Sequence, residues 1–217
     1  MAGLVIFDLD GTLINTIEDL GTAVNFAMRA KGWPEHTMAE YERMIGNGVR
    51  KLVTRATPEQ FRENNAEIDS ALNIFEEYYF AHIDTFTKPY PGIPEMLMKI
   101  EASGVKMAVA TNKIQAGADR LIAELFPEVH FDLIYGNSEG HPLKPDPEVI
   151  KSILSSVGEN AADAVYAGDT EVDMQTATQG GVKAIGVTWG YRDRSGLGLA
   201  DIIVDTTDEL LNVILSK

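Results

Sequence analysis

Two aspartates separated by one residue, Asp8 and Asp10, follow the apolar run Leu4-Val5-Ile6-Phe7 in the stretch LVIFDLDGTLINT. Side chains alternate along a strand, so the two carboxylates share a face if the run is a strand. Close carboxylates repel unless a cation or a proton lies between them. Such a pair can hold Mg2+, which favours hard oxygen ligands, or supply a nucleophile that forms an aspartyl-phosphate. A plainer reading stands beside these: strand-terminal aspartates begin turns, and Asp-Gly is a turn dipeptide. The pair alone does not choose between them.

Other polar residues end other apolar runs. MAVATNK delivers Thr111, Asn112 and Lys113; AVYAGDTEVD delivers Asp169 and Asp173 with Glu171 between; PLKPDPE isolates Lys144. One polar strand end is unremarkable, but several on one sheet converge where open α/β sheets bind ligands. Asp8, Asp10 and Asp169 are hard ligands for Mg2+. Backbone N–H groups from Leu9 to Gly11 can cradle an anion, with Thr111 and Lys144 as further donors. Several residues read more plainly: Glu171 as a first-turn acid, Asp169-Thr170 as part of a helix cap, Lys113 as solvent-facing or cleft-lining, Arg192 and Arg194 as surface charges. The histidines His36, His82, His130 and His141 show no metal-ligand spacing.

The elements that must position these residues are short buried strands at Leu4–Phe7, Met107–Ala110, Ala164–Ala167 and Ala184–Val187, with a weaker one at Phe131–Tyr135. Helical patterns alternate with them at Gln115–Leu125, Pro147–Val157 and Val172–Gly180. Alternation predicts an α/β fold with a Rossmann-like, doubly wound parallel sheet. The first crossover is anomalous: roughly ninety residues separate Asp8 from the second strand, where a βαβ unit takes about thirty. The insert reads helical over Ile17–Lys31, Met38–Met44, Val49–Arg55 and Pro58–Ile83. We therefore expect a core domain of residues 1–15 and 88–217 and an inserted helical cap domain of residues 16–87.

The chain has 217 residues, no cysteine and a formal net charge of −15. That charge disfavours nucleic acid and anionic membranes, both of which need a basic footprint. No apolar run is long enough to span a bilayer, and the first residues lack a signal-peptide pattern. With cysteine absent, the expectation is a cytoplasmic protein.

Together DLDGT, ATNK, LKPDP and GDTEVD, in this order and spacing, resemble the haloacid dehalogenase superfamily. IGNG, YPGI and TWGYR add similarity to its phosphoglycolate phosphatase-like subgroup. The resemblance implies a phosphatase acting on a small phosphate ester with Mg2+ as cofactor. Asp8 would be the nucleophile and Asp10 the general acid and then base. Thr111, with Asn112 its neighbour, would bind the phosphoryl group, and Lys144 would neutralise charge. Asp169 would bind Mg2+ with Asp8 and the Asp10 backbone carbonyl, and Asp173 would act from the edge of that site, by water or by pairing with Lys144. Within the cap, the turn Ile45–Lys51 would face the active site, with Asn47, Gly48 and Arg50 selecting the substrate. Dehalogenases of this pattern lack the second aspartate, so Asp10 argues for phosphate chemistry. A β-phosphoglucomutase-type mutase and a pyrophosphatase are the alternatives, and a binding module is the weakest. No oligomeric state is implied.

Overall fold

The computed structural model describes residues 1–216. In chain order its elements are β1 (Leu4–Phe7), β2 (Ile14–Asn15), α1 (Ile17–Ala30), α2 (Met38–Met44), α3 (Val49–Ala56) and α4 (Asn65–Ala81). There follow β3 (Lys88–Pro89), α5 (Ile93–Ala102), β4 (Lys106–Ile114), α6 (Gln115–Leu125), β5 (Leu133–Asn137) and α7 (Glu148–Val157). The chain closes with β6 (Ala164–Gly168), α8 (Glu171–Gly180), β7 (Lys183–Val187), β8 (Ile202–Val204) and α9 (Thr207–Leu215). Two compact units result, Met1–Asn15 with Pro89–Lys217, and Thr16–Lys88.

The first unit is built on a six-stranded parallel sheet in the order β5-β4-β1-β6-β7-β8. All four residues of β1 are buried, as a central parallel strand covered on both faces requires. Leu4 and Ile6 share one core cluster with Val149, Ile150 and Ile153 of α7 and Met174 and Ala177 of α8. β1 pairs with β4 through Phe7 and Val109 and with β6 through Phe7 and Ala167. Strand order reverses around β1, so the carboxyl ends of β1, β4 and β6 form the switch-point crevice.

Three elements extend the sequence reading. α5 buries Ile93, Met96, Leu97 and Ile100, an i, i+3, i+4, i+7 stripe introduced by Gly92 and a proline in the first turn. β8 is a three-residue edge strand, too short for periodicity to reveal. α9 is capped by Thr206, whose side chain accepts from the Glu209 N–H. The expected helix Pro58–Ile83 is instead a 3-10 turn at Glu59–Phe61 followed by α4. Asn64 divides them by accepting the Glu67 N–H at the start of α4.

In the second unit α1 packs on α4, with Phe26 and Tyr78 stacked at 4.3 Å. Phe75 and Tyr79 are buried while Tyr78 and Phe80 are half-buried. Near the end of this unit the Phe86 and Thr87 N–H groups donate to the buried Asp19 carboxylate at 3.0 and 2.8 Å, and the Thr87 hydroxyl joins them at 2.7 Å. Among the described residues no helix is long and apolar enough to cross a membrane.

Candidate active site

Asp8 leaves β1 with its N–H still donating to Ala167 O at 2.9 Å, so the β6 ladder fixes its backbone. Asp8 is 7% exposed. Asp169 directly follows β6, and Asp173 occupies the first turn of α8. Oxygens of Asp8, Asp169 and Asp173 lie within 4.8 Å of one another, all buried.

Lys144, on the loop between β5 and α7, enters this cluster. Its Nζ lies 2.8 Å from Asp8 Oδ1 and 2.7 Å from Asp173 Oδ1. Tyr166 Oη and Ala110 O are each 2.9 Å away. The Asp173 carboxylate is saturated. Lys144 Nζ and Tyr166 Oη approach Oδ1, and Thr170 donates to Oδ2 through N–H and hydroxyl at 3.0 and 2.6 Å. Asp173 thus completes the capping box of α8 and orients Lys144. Asp173, expected at the edge of a metal site, has both carboxylate oxygens already engaged.

Three buried carboxylates therefore cluster with one buried ammonium, which pairs with Asp8 and Asp173, leaving an excess of two formal negative charges. Burial, then Asp173, pushes Asp169 from 3.8 up to about 7. Burial raises Asp8 well above its ordinary value, reinforced by Asp173 and Asp169 and opposed by Lys144. Burial alone would lower Lys144, but Asp173 and Asp8 overcome it and keep the amine protonated. The donor set and the excess charge both fit one Mg2+ ion.

Asp10 lies outside this cluster. Its carboxylate is held by Lys113 Nζ at 2.9 and 3.1 Å. The Lys113 side chain is 4% exposed, so of the two plainer expectations it is not solvent-facing: β4 runs on to Ile114 and carries it to the half-buried Asp10. Thr111 is buried and its hydroxyl accepts the Lys113 N–H at 3.2 Å. Asn112, expected beside the phosphoryl group, grips the Lys144 backbone. Its Nδ2 donates to Lys144 O at 3.2 Å and its Oδ1 accepts the Lys144 N–H at 2.8 Å.

Leu9 and Gly11, expected to cradle an anion, have local N–H partners. Leu9 N–H donates to Asp8 Oδ1 at 2.7 Å and Gly11 N–H to Ile14 O at 2.9 Å. Gly11 serves the turn: its φ is +92°, and a Cβ there would stand 2.5 Å from Asp169 Oδ2. Glu171 pairs with Arg192 at 3.6 Å and Arg194 with Asp205 at 2.9 Å.

In the other unit, Gly48 precedes α3, and Asn47 Oδ1 accepts from Arg55 Nη2 at 2.6 Å. Arg50 is exposed and pairs with Asp69 at 2.6 Å. Sequence reasoning missed Tyr166 and Thr12. A tyrosine inside the apolar run AVYAG was the available signal for the first, since a buried hydroxyl requires a partner.

A family model described as haloacid dehalogenase-like hydrolase matches residues 5–187. The chain belongs to the haloacid dehalogenase-like hydrolase family. Among this hydrolase's relatives, the phosphoglycolate phosphatase of Aquifex aeolicus is 32% identical over 188 residues, 87% of this chain and 85% of its own. That of Mesorhizobium japonicum is 34% identical over 192 residues, 88% and 85%. Both are phosphoric monoester hydrolases. A crystal structure from Lactobacillus delbrueckii subsp. bulgaricus superposes with a TM-score of 0.92 at 32% identity, covering all of both chains.

Proposed function

We propose that this hydrolase is a Mg2+-dependent phosphatase of a small phosphorylated metabolite, with a phosphoglycolate-like monoester as first candidate, acting in the cytoplasm through an aspartyl-phosphate. The observation that carries this reading is the excess of buried negative charge around Asp8, Asp169 and Lys144. A bound cation relieves it while leaving both Asp8 and Asp169 ionised. The relatives named phosphoglycolate phosphatase support the substrate class.

Asp8 and Asp169 would hold Mg2+ together with the Asp10 backbone carbonyl, Asp173 acting through Lys144. When bound, Mg2+ offsets charge on the phosphoryl oxygens and on Asp8. Asp8 attacks phosphorus as the ester oxygen departs, and Asp10 donates a proton to that oxygen. Asp10 then takes a proton from water, which attacks the aspartyl-phosphate and releases inorganic phosphate. Lys144, fixed at its amine by Asp173 and Tyr166 and at its backbone by Asn112, balances charge on the transferring group. Thr111 donates to a phosphoryl oxygen. Residues 16–87 form the cap, where Asn47 and Gly48 shape the selecting turn and Arg50 exchanges Asp69 for a substrate carboxylate.

The test is phosphate release with and without Mg2+ over phosphoglycolate, pyrophosphate, sugar phosphates and nucleotides, with Asp8→Asn as control. The expected result is Mg2+-dependent release, greatest for phosphoglycolate and absent in Asp8→Asn protein of unchanged fold. Turnover by pure Asp8→Asn protein removes Asp8 as nucleophile. Isomerised phosphosugar without net phosphate release points to a mutase.

A further inference from the structure

The stretch Trp189-Gly190-Tyr191 follows β7 and has no place in the chemistry above, yet it closes around one carboxylate. Asp169 is fully buried. Its Oδ2 accepts the Tyr191 N–H at 2.8 Å, and its Oδ1 accepts the Thr12 hydroxyl at 3.2 Å. The Thr12 carbonyl in turn accepts the Trp189 indole N–H at 3.0 Å. Trp189, Thr12, Asp169 and Tyr191 thus form a closed ring of contacts between the chain after β1, the chain after β6 and the chain after β7. Gly190 sits inside it: a Cβ there would lie 2.3 Å from Asp169 Cβ and 2.4 Å from both Asp169 Oδ2 and Gly11 O. No side chain fits at that point.

We propose that Trp189, Gly190 and Thr12 are positioning residues that fix the rotation of the Asp169 carboxylate and thereby set the affinity for the divalent cation. The inference rests on the reading of Asp169 as a Mg2+ ligand. A carboxylate tied at both oxygens presents its remaining lone pairs in one direction. Mg2+ is sensitive to that direction because it tolerates little departure from octahedral geometry. Partners of metal ligands characteristically cost about 10–100-fold in affinity when removed.

The experiment is calorimetric titration of Mg2+ into substrate-free wild type, Asp169→Asn, Trp189→Phe, Thr12→Val and the Trp189→Phe/Thr12→Val double variant. Trp189→Phe keeps the aromatic bulk and removes the only donor of that side chain. Thr12→Val keeps the shape and removes the hydroxyl. Each single variant is expected to bind Mg2+ about tenfold more weakly, and the double variant less weakly than the product, because both act on one ring. Excess Mg2+ should restore kcat. Gly190→Ala, which forces a methyl into the contact, should weaken binding further. Wild-type affinity in both single variants overturns the positioning role while leaving Asp169 as ligand. Undiminished binding by Asp169→Asn, or none by wild type, removes the ligand reading and the inference with it.

Discussion

Lys113 Nζ grips both oxygens of Asp10 from 103 positions away in sequence, at 2.9 and 3.1 Å. A side chain held at both oxygens has one orientation, and the proton relay assigned to Asp10 depends on that orientation. Lys113→Met is predicted to lower kcat by about tenfold to a hundredfold, with Lys113→Arg recovering part of it. Steady-state kinetics at saturating Mg2+ checks this, and an unchanged kcat for Lys113→Met rejects it.

Lys144 is the ammonium within a cluster of three buried carboxylates. Lys144→Met is predicted to lose about 3–5 kcal/mol of stability, the usual cost of leaving one member of a buried pair uncompensated. Tyr166→Phe removes a single hydroxyl from the same network and should cost about 1 kcal/mol. Urea unfolding at pH 7.5 measures both. Equal losses in the two variants would contradict the ranking.

Asp169 is raised from 3.8 to about 7, so the folded state binds its proton more tightly than the unfolded chain does. The resulting stability is fully present below the unfolded value near 3.8 and is lost as pH rises through about 7. In chelator, the unfolding temperature is predicted to fall between pH 5 and pH 8. Mg2+ competes with that proton, so its affinity should increase over the same window with proton release on binding. Calorimetry in two buffers of different ionisation heat detects the release, and Mg2+ affinity flat from pH 6 to 8 would refute the linkage.

Asp19 accepts two backbone N–H groups and a hydroxyl near the far end of its own unit. Asp19→Ala leaves the buried Thr87 N–H without that acceptor and is predicted to cost about 2 kcal/mol. Asp19→Asn should lose less, because its amide oxygen still accepts. Denaturant titration compares the two, and an Asp19→Ala midpoint at the wild-type value would discard the assignment.

What sequence could reveal here follows from what the chemistry makes local. Asp8, Thr111 and Asp169 were legible because each ends an apolar run, and parallel strands deliver their carboxyl ends to one edge. α6 was legible from its own apolar stripe. The partnerships were not legible. Whether Lys113 reaches Asp10, Asn112 the Lys144 backbone, or Trp189 the Thr12 carbonyl depends on register and loop path between segments remote in sequence. The turn that engages the Gly11 N–H with Ile14 O is likewise invisible in sequence.

Where the chain leaves the sheet unit and where it returns, Leu13 and Tyr90 are one hydrogen bond apart, Tyr90 N–H donating to Leu13 O at 3.1 Å. Doubling a flexible loop costs only about 0.6 kcal/mol in closure entropy, so a sheet pinned at that doorway scarcely registers the length of what hangs from it. The sheet-bearing half and the inserted half can consequently pursue separate evolutionary histories. One ancestral hydrolytic engine can be refitted by exchanging a module, with no strand rebuilt.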